Sequence, residues 1–409
     1  MSDMNEYKIV KITDLGTVNR GKSKHRPRND SILYGGEYPF IQTGDVKKAN
    51  LHLVDYTQTY NDVGLKQSKL WKKGTLCFTI AANIADSAIL GMDACFPDSI
   101  VGFLPYENVS DTTYVKYLFD ELKLYFQQIS KGTTQDNLSL DKICRVKLRV
   151  PDYDTQVKVA SILSTYDTAI ENNNKRIRLL EQMAENIYKE WFVRFRFPGY
   201  KDVEFIDGFP KNWEKVKLDD VLNKIATGLN PRKNFVLGEG ENFYVTIKNM
   251  ADNTVYLDDK CDKVNDDAII KINKRSDLKV GDLLFSGIGT IGRVCLIDIP
   301  TNNWNISESV FTMRANKKIS SEFLYMLLLS QDIQNYCQSK ANGSAQKGIR
   351  MGDLRKYTFL LPTKNVINDF TNQISPILRN VSLLRNENKN LIQQRDMLLP
   401  RLMSGKLEV

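Results

Sequence analysis

Residues 163–191 decide the fold, and they read LSTYDTAIENNNKRIRLLEQMAENIYKEW. Mostly apolar residues recur there at spacings that alternate between three and four, which is the heptad pattern of a helix packed along a partner helix. The seam consists of Leu163, Tyr166, Ile170, Asn173, Ile177, Leu180, Ala184, Ile187 and Trp191. The spacing therefore predicts a long helix with one continuous packing face.

A second helix carries the same pattern 211 residues later. Its seam consists of Ile374, Ile377, Val381, Leu384, Asn388, Leu391, Arg395, Leu398 and Leu402. Each helix follows a strand-like run that ends in proline, at Pro151 and at Pro362. We interpret Asn173 and Asn388 as polar residues that fix the register of the helix pair.

The rest of the chain is duplicated as well. A turn followed by a strand occurs over 70–78 and again over 276–285, and Gly132-Thr-Thr-Gln135 recurs as Gly343-Ser-Ala-Gln346. Short β-rich runs surround one amphipathic helix in each half, over 113–130 and 320–340. We expect a globular domain over 1–152, a long helix over 153–197, a second domain over 198–362 and a second long helix over 363–409.

The chain order fixes how the helices should pair. The first helix ends where the second domain begins, and the second helix starts there and runs back, so the two should pair antiparallel. The sequence thus predicts an α+β protein with a pseudo-twofold repeat, in which two similar mixed α/β domains are separated by a coiled-coil pair. The first seam spans about 42 Å at roughly 1.5 Å per residue, close to the roughly 34–36 Å of one DNA turn.

Composition excludes several classes of protein. The longest apolar stretch, Phe323 to Leu329, is too short for a membrane helix, and Met1 to Ile12 lacks a secretory apolar region, so we expect a cytoplasmic protein without membrane contact. The six cysteines are scattered, which predicts buried thiols without a metal site or disulfide framework. A net charge of +8 favours a polyanionic partner.

The candidate DNA-contacting residues combine basic side chains with amides and hydroxyls. Lysine and arginine suit phosphates or guanine edges, while asparagine and glutamine suit adenine. In the first domain the candidates are Arg20, Lys22, Lys24, Arg26, Arg28, Gln42, Thr43, Asp45, Lys47, Asn83, Thr133, Thr134 and Gln135. In the second they are Arg232, Lys233, Lys248, Asn249, Ser286, Thr290, Ser344, Gln346 and Lys347.

Two motifs suggest nucleotide sites that their surroundings contradict. Residues 16–23 match the P-loop pattern, but Pro27, Gly35 and Gly36 follow where a phosphate-binding helix is required. Residues 287–292 match GxGxxG, yet a strand-like run follows. We predict a β-turn there. Because the first domain has Asn83-Ile-Ala-Asp86 against Gly289-Thr-Ile-Gly292, we expect the two backbones to differ.

Four segments resemble the specificity subunits of type I restriction-modification enzymes. They are EWFVRFRFPG (190–199), GFPKNW (208–213), ACFPDSIVGFLP (94–105) and LLPRLMSGKLEV (398–409), and the likeness covers essentially the whole chain. The resemblance implies two target-recognition domains that each read half of a split, gapped sequence in double-stranded DNA. It also implies helices that dock two modification subunits, which are adenine methyltransferases, with two translocating restriction subunits joining them in defence against foreign DNA.

The same resemblance implies a chain without a catalytic site or cofactor of its own. S-adenosylmethionine, ATP and Mg²⁺ would belong to the partner subunits. One alternative is a coiled-coil scaffold that binds proteins and has no DNA specificity. Another is an ATPase that uses residues 16–23.

Overall fold

The structure is a computed structural model that describes residues 7–130, 138–341 and 347–409. Two compact units divide the chain: Met1–Arg176 together with Leu384–Val409, and Ile177–Leu383. No helix in the described ranges combines the length and apolar character needed to cross a membrane.

The first unit is built mainly from two antiparallel-rich sheets and short helices. Its strands are β1 (Lys8–Val10), β2 (Gly16–Arg20), β3 (Tyr34–Phe40), β4 (His52–Leu53), β5 (Gln58–Tyr60), β6 (Leu70–Trp71), β7 (Leu76–Thr79), β8 (Ser87–Leu90), β9 (Ala94–Cys95), β10 (Ile100–Pro105) and β11 (Leu148–Val150). Its shorter helices are α1 (Ile12–Leu15), α2 (Thr43–Lys48), α3 (Asp62–Lys66), α4 (Thr112–Glu121), α5 (Lys123–Ser130) and α6 (Leu140–Arg145).

The main sheet of this unit has the order β2-β10-β7-β8-β4, beside a second sheet ordered β5-β3-β9-β6. Every residue of β7 is buried because the strand is central and covered on both faces. Gly102 in β10 allows the ring of Trp71 to lie against the backbone, since a Cβ there would stand 2.6 Å from Trp71 Cζ3.

The long helix α7 (Tyr153–Tyr188) contributes to both units. In the second unit the strands are β12 (Phe205–Ile206), β13 (Phe209–Pro210), β14 (Glu214–Lys217), β15 (Leu222–Thr227), β16 (Asn242–Val245), β17 (Met250–Ala251), β18 (Thr254–Val255), β19 (Asp262–Val264), β20 (Leu283–Ser286), β21 (Val294–Leu296), β22 (Trp304–Ile306), β23 (Val310–Ala315) and β24 (Thr358–Leu361). The helices are α8 (Asp266–Ser276), α9 (Ser321–Leu329), α10 (Gln331–Lys340) and α11 (Met351–Leu354), and α12 (Lys364–Met403) contributes to both units.

The second unit repeats the main sheet of the first. Its order β15-β23-β20-β21 matches β2-β10-β7-β8, and the pair β14-β24 matches β1-β11. The predicted fold class is thereby confirmed: two repeated mixed α/β domains accompany two long helices.

The predicted seams are largely buried. The buried members are Leu163, Ile170, Asn173, Ile177, Ala184, Trp191, Ile374, Ile377, Val381, Leu384, Asn388 and Leu402, whereas Tyr166, Leu180, Ile187, Leu391, Arg395 and Leu398 are half-buried. Within the first unit, Asn173 donates to Glu387 Oε2 at 3.1 Å and Asn388 donates to Asn174 Oδ1 at 2.8 Å. From Asp167, which pairs with Arg395, to Asn173, which pairs with Glu387, the α7 number rises while the partner number falls, so the helices run antiparallel there.

The single amphipathic helix predicted in each half is wrong in detail, since each is divided. The first breaks at Leu122 between α4 and α5, and the second at Ser330 between α9 and α10. Ser330 has an extended backbone, and its hydroxyl donates to the carbonyl of Leu327 at 2.7 Å. That local hydrogen bond competes with helix continuation, which explains the second break.

Candidate nucleic-acid interface

The loops that carry most candidate residues leave the main sheet of each unit at one end. In the first unit, Arg20 of β2 pairs with Val101, while Ile100 pairs with Thr79 of β7. Since these neighbours are antiparallel, the chain after β2 and the turn after β7 emerge together. We call this end, with residues 20–28 and 79–87, the first loop edge. The second loop edge comprises residues 227–233 and 286–294.

The basic loop of the first loop edge has an ordered backbone and exposed charges. Arg20, Lys22, Lys24, Arg26 and Arg28 are all exposed. The amide of Lys22 donates to Phe96 O at 3.0 Å, and that of Lys24 donates to the Gln67 side chain at 2.6 Å. A fixed backbone with exposed cationic side chains suits a phosphate-contacting loop.

Acidic groups hold the far end of this loop. Arg28 forms an ion pair with Asp98 at 2.6 Å, and the His25 ring lies 2.9 Å from Asp30. The hydrogen bond from His25 lowers the pKa of Asp30. For Arg20, Lys22 and Lys24 the described part of the chain offers no ion-pair partner. The net positive charge is therefore concentrated near the start of the loop.

Helix α2 brings Lys47 to the same loop edge. Its Nζ donates to Asn83 Oδ1 at 3.1 Å. Asp45, by contrast, is buried, and its carboxylate accepts hydrogen bonds from the amide of Gln42 at 2.9 Å and the hydroxyl of Thr57. Gln42 and Thr43 are half-buried at the start of the helix. Asp45 thus shapes the segment that presents Lys47.

Three candidates of the second unit lie in corresponding places. Arg232 and Lys233 are exposed in the loop after β15, and Lys248 is exposed in the short helical turn Ile247–Asn249. Asn249 is buried and accepts a hydrogen bond from the amide of Thr246 at 2.9 Å, which is the role of Asp45 in the first unit.

The turn between β20 and β21 carries the remaining described candidates. Ser286 is buried; its hydroxyl donates to Thr290 O at 2.5 Å and accepts from the amide of Arg293 at 2.8 Å. Thr290 and Lys347 are exposed, and the carbonyl of Lys347 accepts from the amide of Gly289 at 2.8 Å. Thr133, Thr134, Gln135, Ser344 and Gln346 lie outside the described residues.

The turn between β7 and β8 has the same backbone as this second turn, so the expected difference is wrong. The correspondence shifts by one residue, because Asn83 matches Thr290 rather than Gly289. Ala82 and Ala85 have positive φ angles of 61° and 64°, where Gly289 and Gly292 have 80° and 93°. The alanines follow the left-handed path despite its steric cost.

Both turns are anchored by residues that the candidate set omits. Gln127 Nε2 donates to Ile84 O at 3.2 Å, and Gln334 Nε2 donates to Gly292 O at 3.0 Å. An offset of 207 residues relates the two glutamines, as it relates the turns. Aligning the halves at that offset through helices α5 and α10 is the signal that could have found them.

The structure agrees with the rejection of both nucleotide motifs. Residues 16–20 form strand β2, and no helix begins at Lys22 or Ser23. Ser23 is buried, with its hydroxyl 3.4 Å from that of Tyr60. Residues 287–292 lie in the β20–β21 turn, as predicted.

Comparison with known proteins assigns this architecture to a family. The type I restriction modification DNA specificity domain matches residues 4–182 and 210–394. The MjaIX specificity subunit of Methanocaldococcus jannaschii is 24% identical, over 99% of this chain and 94% of its own. The HindI specificity subunit of Haemophilus influenzae is also 24% identical, over 100% of both.

A solved structure has a similar fold. It is the S subunit of a type I restriction-modification system from M. genitalium, with a TM-score of 0.62, 13% identity, and coverage of 98% of this chain and 97% of its own. The family domain matches this chain twice, in agreement with its repeated domains and paired helices. The chain belongs to the type I restriction-modification specificity subunits, which recognise DNA sequence and catalyse no reaction.

Proposed function

We propose that this chain reads a split DNA target, with each unit contacting one half-site and an unread gap between them. The recognition domains would cover residues 1–152 and 198–362, and the long helices 153–197 and 363–409 would dock two modification subunits. Two restriction subunits would join that complex in the cytoplasm. S-adenosylmethionine, ATP and Mg²⁺ would be bound by those partners.

The observation that carries this proposal is the duplicated loop edge with different side chains. The first presents Arg20, Lys22, Lys24 and Asn83, where the second presents Arg232, Lys233 and Thr290. A shared backbone supports two readers of one design, and unlike side chains favour two unlike half-sites. Exposed cations supply the phosphate contacts that any DNA reader needs.

Single-molecule methylation sequencing tests the proposal. DNA would be taken from cells that express the cognate modification subunit with and without this chain. We expect a gapped, asymmetric motif containing methylated adenines only when the chain is present. If both proteins are soluble and associated but no motif arises, the scaffold function replaces DNA reading.

A domain exchange then tests whether each unit reads its own half-site. Replacing residues 1–152 with those of another family member should change one half-site and leave the other half-site and the gap as they were. Changes in both half-sites would contradict a separate reader in each unit.

A further inference from the structure

We propose that the turns Thr79–Asp86 and Ser286–Arg293 are matched base-reading turns, and that Asn83 and Thr290 at equivalent positions each contact a base edge. This inference rests on the proposed function and assigns one specificity-determining residue to each half-site. Three observations support it: the hydrogen bonds that hold the backbone of each turn, the left-handed backbone at Ala82 and Ala85, and the polar side-chain groups that take no part in those hydrogen bonds.

The hydrogen-bonded frame is the same in both units. The amide of Thr79 donates to Asp86 O at 2.9 Å, and that of Ser286 donates to Arg293 O at 2.9 Å. Inside each turn, Ala85 N donates to Thr79 O at 2.9 Å and Gly292 N to Ser286 O at 3.0 Å.

In each turn, a buried hydroxyl of the first residue forms hydrogen bonds with the backbone of two later residues. The Thr79 hydroxyl donates to Asn83 O and accepts from Asp86 N at 3.1 Å. Ser286 makes the equivalent contacts with Thr290 O and Arg293 N. The carbonyls of the tip residues Asn83 and Thr290 are therefore held by hydrogen bonds within each turn.

Each turn is also tied to the body of its unit. Besides Gln127 and Gln334, a backbone bond joins Leu138 N to Ile80 O at 2.9 Å, and its counterpart joins Ile349 N to Gly287 O at 2.9 Å. A loop fixed at this many points presents its tip without ordering on binding, which preserves affinity and discrimination.

Backbone strain indicates that the conformation itself is required. Glycine occupies the left-handed positions of the second turn at no steric cost, but Ala82 and Ala85 occupy them in the first. Strained backbone persists where the surroundings over-determine it, and such positions cluster at functional sites. The geometry of the turn, rather than its sequence, is what the two units share.

The polar side-chain groups that form no hydrogen bond in the turns favour base recognition. Within the described residues, Asn83 Nδ2 and the Thr290 hydroxyl have no hydrogen-bond partner, while Asn83 Oδ1 accepts only from Lys47. A side-chain amide matches the N6 and N7 groups of adenine, and threonine offers a hydroxyl and a methyl group that suits thymine. Lys47 beside Asn83 suits a neighbouring phosphate.

The second turn also has a lysine-bearing segment next to it. Arg293 Nη1 donates to the carbonyls of Ile247 at 2.9 Å and Met250 at 2.5 Å, which anchors the turn to the segment that presents Lys248. The combination of a fixed tip residue and an adjacent lysine therefore occurs in both units.

The test uses the assembled methyltransferase complex and a set of duplexes that vary every base pair of the wild-type motif. Asn83→Ala should reduce discrimination at one position of one half-site by about 5- to 150-fold, the range of a bidentate base contact. Thr290→Ala should relax one position of the other half-site. All other positions should keep their wild-type preference.

Two further variants separate reading from folding. Asn83→Asp keeps the shape of the side chain but removes its donor, so preference should move from adenine towards cytosine. Asn108→Ala is the matched control, since Asn108 is exposed with a φ of 56° after the opposite end of β10. It should lower stability without altering the motif.

The outcomes are distinguishable. If Asn83→Ala and Asn83→Asp both methylate the wild-type motif with unchanged discrimination at every position, the turn is not a base reader, although the chain still is. The same unchanged result for Thr290→Ala would overturn the matched pair. Absence of any motif with the wild-type chain would instead reject the proposed function.

Discussion

The two units attach to the long helices with different chemistry. In the first unit, apolar residues of α7 and α12, among them Leu163 and Leu402, pack into the core of the globular part. A buried polar cluster around Asp167 adds a second link to both helices. In the second unit, the apolar core that joins the same helices to the globular part is rich in aromatic residues. The comparison shows that two copies of one fold can both pack apolar residues against the long helices and still differ in the side chains that strengthen this contact.

The polar junction of the first unit centres on Asp167. This carboxylate is fully buried, pairs with Arg395, and accepts hydrogen bonds from the Tyr117 hydroxyl at 2.5 Å and the Asn50 amide at 3.0 Å. Burial raises the pKa of Tyr117, so its hydroxyl remains protonated and able to donate. Asp167 therefore joins four segments of the unit.

The junction of the second unit is rich in aromatic side chains. Phe370 of α12 lies 4.7 Å from Phe192 and 5.7 Å from Trp191, measured between ring centroids, and Phe192 lies 5.0 Å from Phe323. Such contacts weaken in proportion to the atoms removed. A buried ion pair behaves differently, because removing one partner leaves an uncompensated charge.

The largest effect should follow from breaking the ion pair. Arg395→Ala leaves the Asp167 carboxylate buried and unpaired, so the free energy of unfolding should fall by about 3 to 5 kcal/mol. Denaturant unfolding measures the loss, and hydrogen exchange should show it at residues 50–53. The control Arg401→Ala removes an exposed arginine from the same helix and should change little.

A double variant sharpens this point. Asp167→Asn with Arg395→Met removes both charges while keeping volume and an acceptor for Tyr117. We expect it to recover at least half of the stability lost in Arg395→Ala. A double variant as unstable as the single one would mean that packing of the Arg395 stem, rather than charge, holds the junction.

A smaller, graded effect should follow in the second unit. Ile374 is fully buried in the cluster around Phe370, and Ile374→Val deletes one methyl group. The expected loss is about 0.5 to 1.5 kcal/mol. Leu383→Val, at a position that is 59% exposed on the same helix, is the control. A loss as large as that of Arg395→Ala would remove the contrast between the junctions.

Heptad spacing predicted the helices and their seams, including Arg395 as a charged seam position. It could not identify Asp167 as the partner, because Asp167 lies beside the seam and also meets Asn50, which is distant in sequence. The repeat was predicted as well, but not its register in the turns. Residue types aligned Asn83 with Gly289, whereas hydrogen bonds to Thr79 and Ser286 fix the true correspondence.

Site prediction was limited by the double use of polar side chains. Charge patterning correctly indicated exposed cations at Arg20, Lys22 and Lys24. Asp45 and Asn249 also looked suited to bases, yet they are buried and accept hydrogen bonds from backbone amides. The same oxygen atoms can cap a helix or meet a base, and only burial separates the two roles.

The smallest expected effect is a pH dependence confined to the first junction. The chain has two histidines, His25 and His52, and both belong to the first unit. His52 Nδ1 lies 3.0 Å from Glu171 Oε2, whose other oxygen accepts from the amides of Leu51 and His52. The hydrogen bond to Glu171 raises the pKa of His52 against the opposing effects of burial and Lys73, and Asp167 adds to the rise.

Because the folded pKa of His52 exceeds its unfolded value of about 6.5, its contribution is complete below that pH and is lost as pH rises through the folded pKa. The side chain is 41% exposed, so screening should keep the contribution below about 1 kcal/mol.

Hydrogen exchange at residues 51–53 should be slower at pH 6 than at pH 8 after correction for intrinsic rates. His52→Gln should abolish the difference while leaving exchange around Phe370 as in the wild type. If the variant kept the full dependence, titration elsewhere in the unit would be responsible, and the polar junction would owe its stability to the Asp167–Arg395 pair alone.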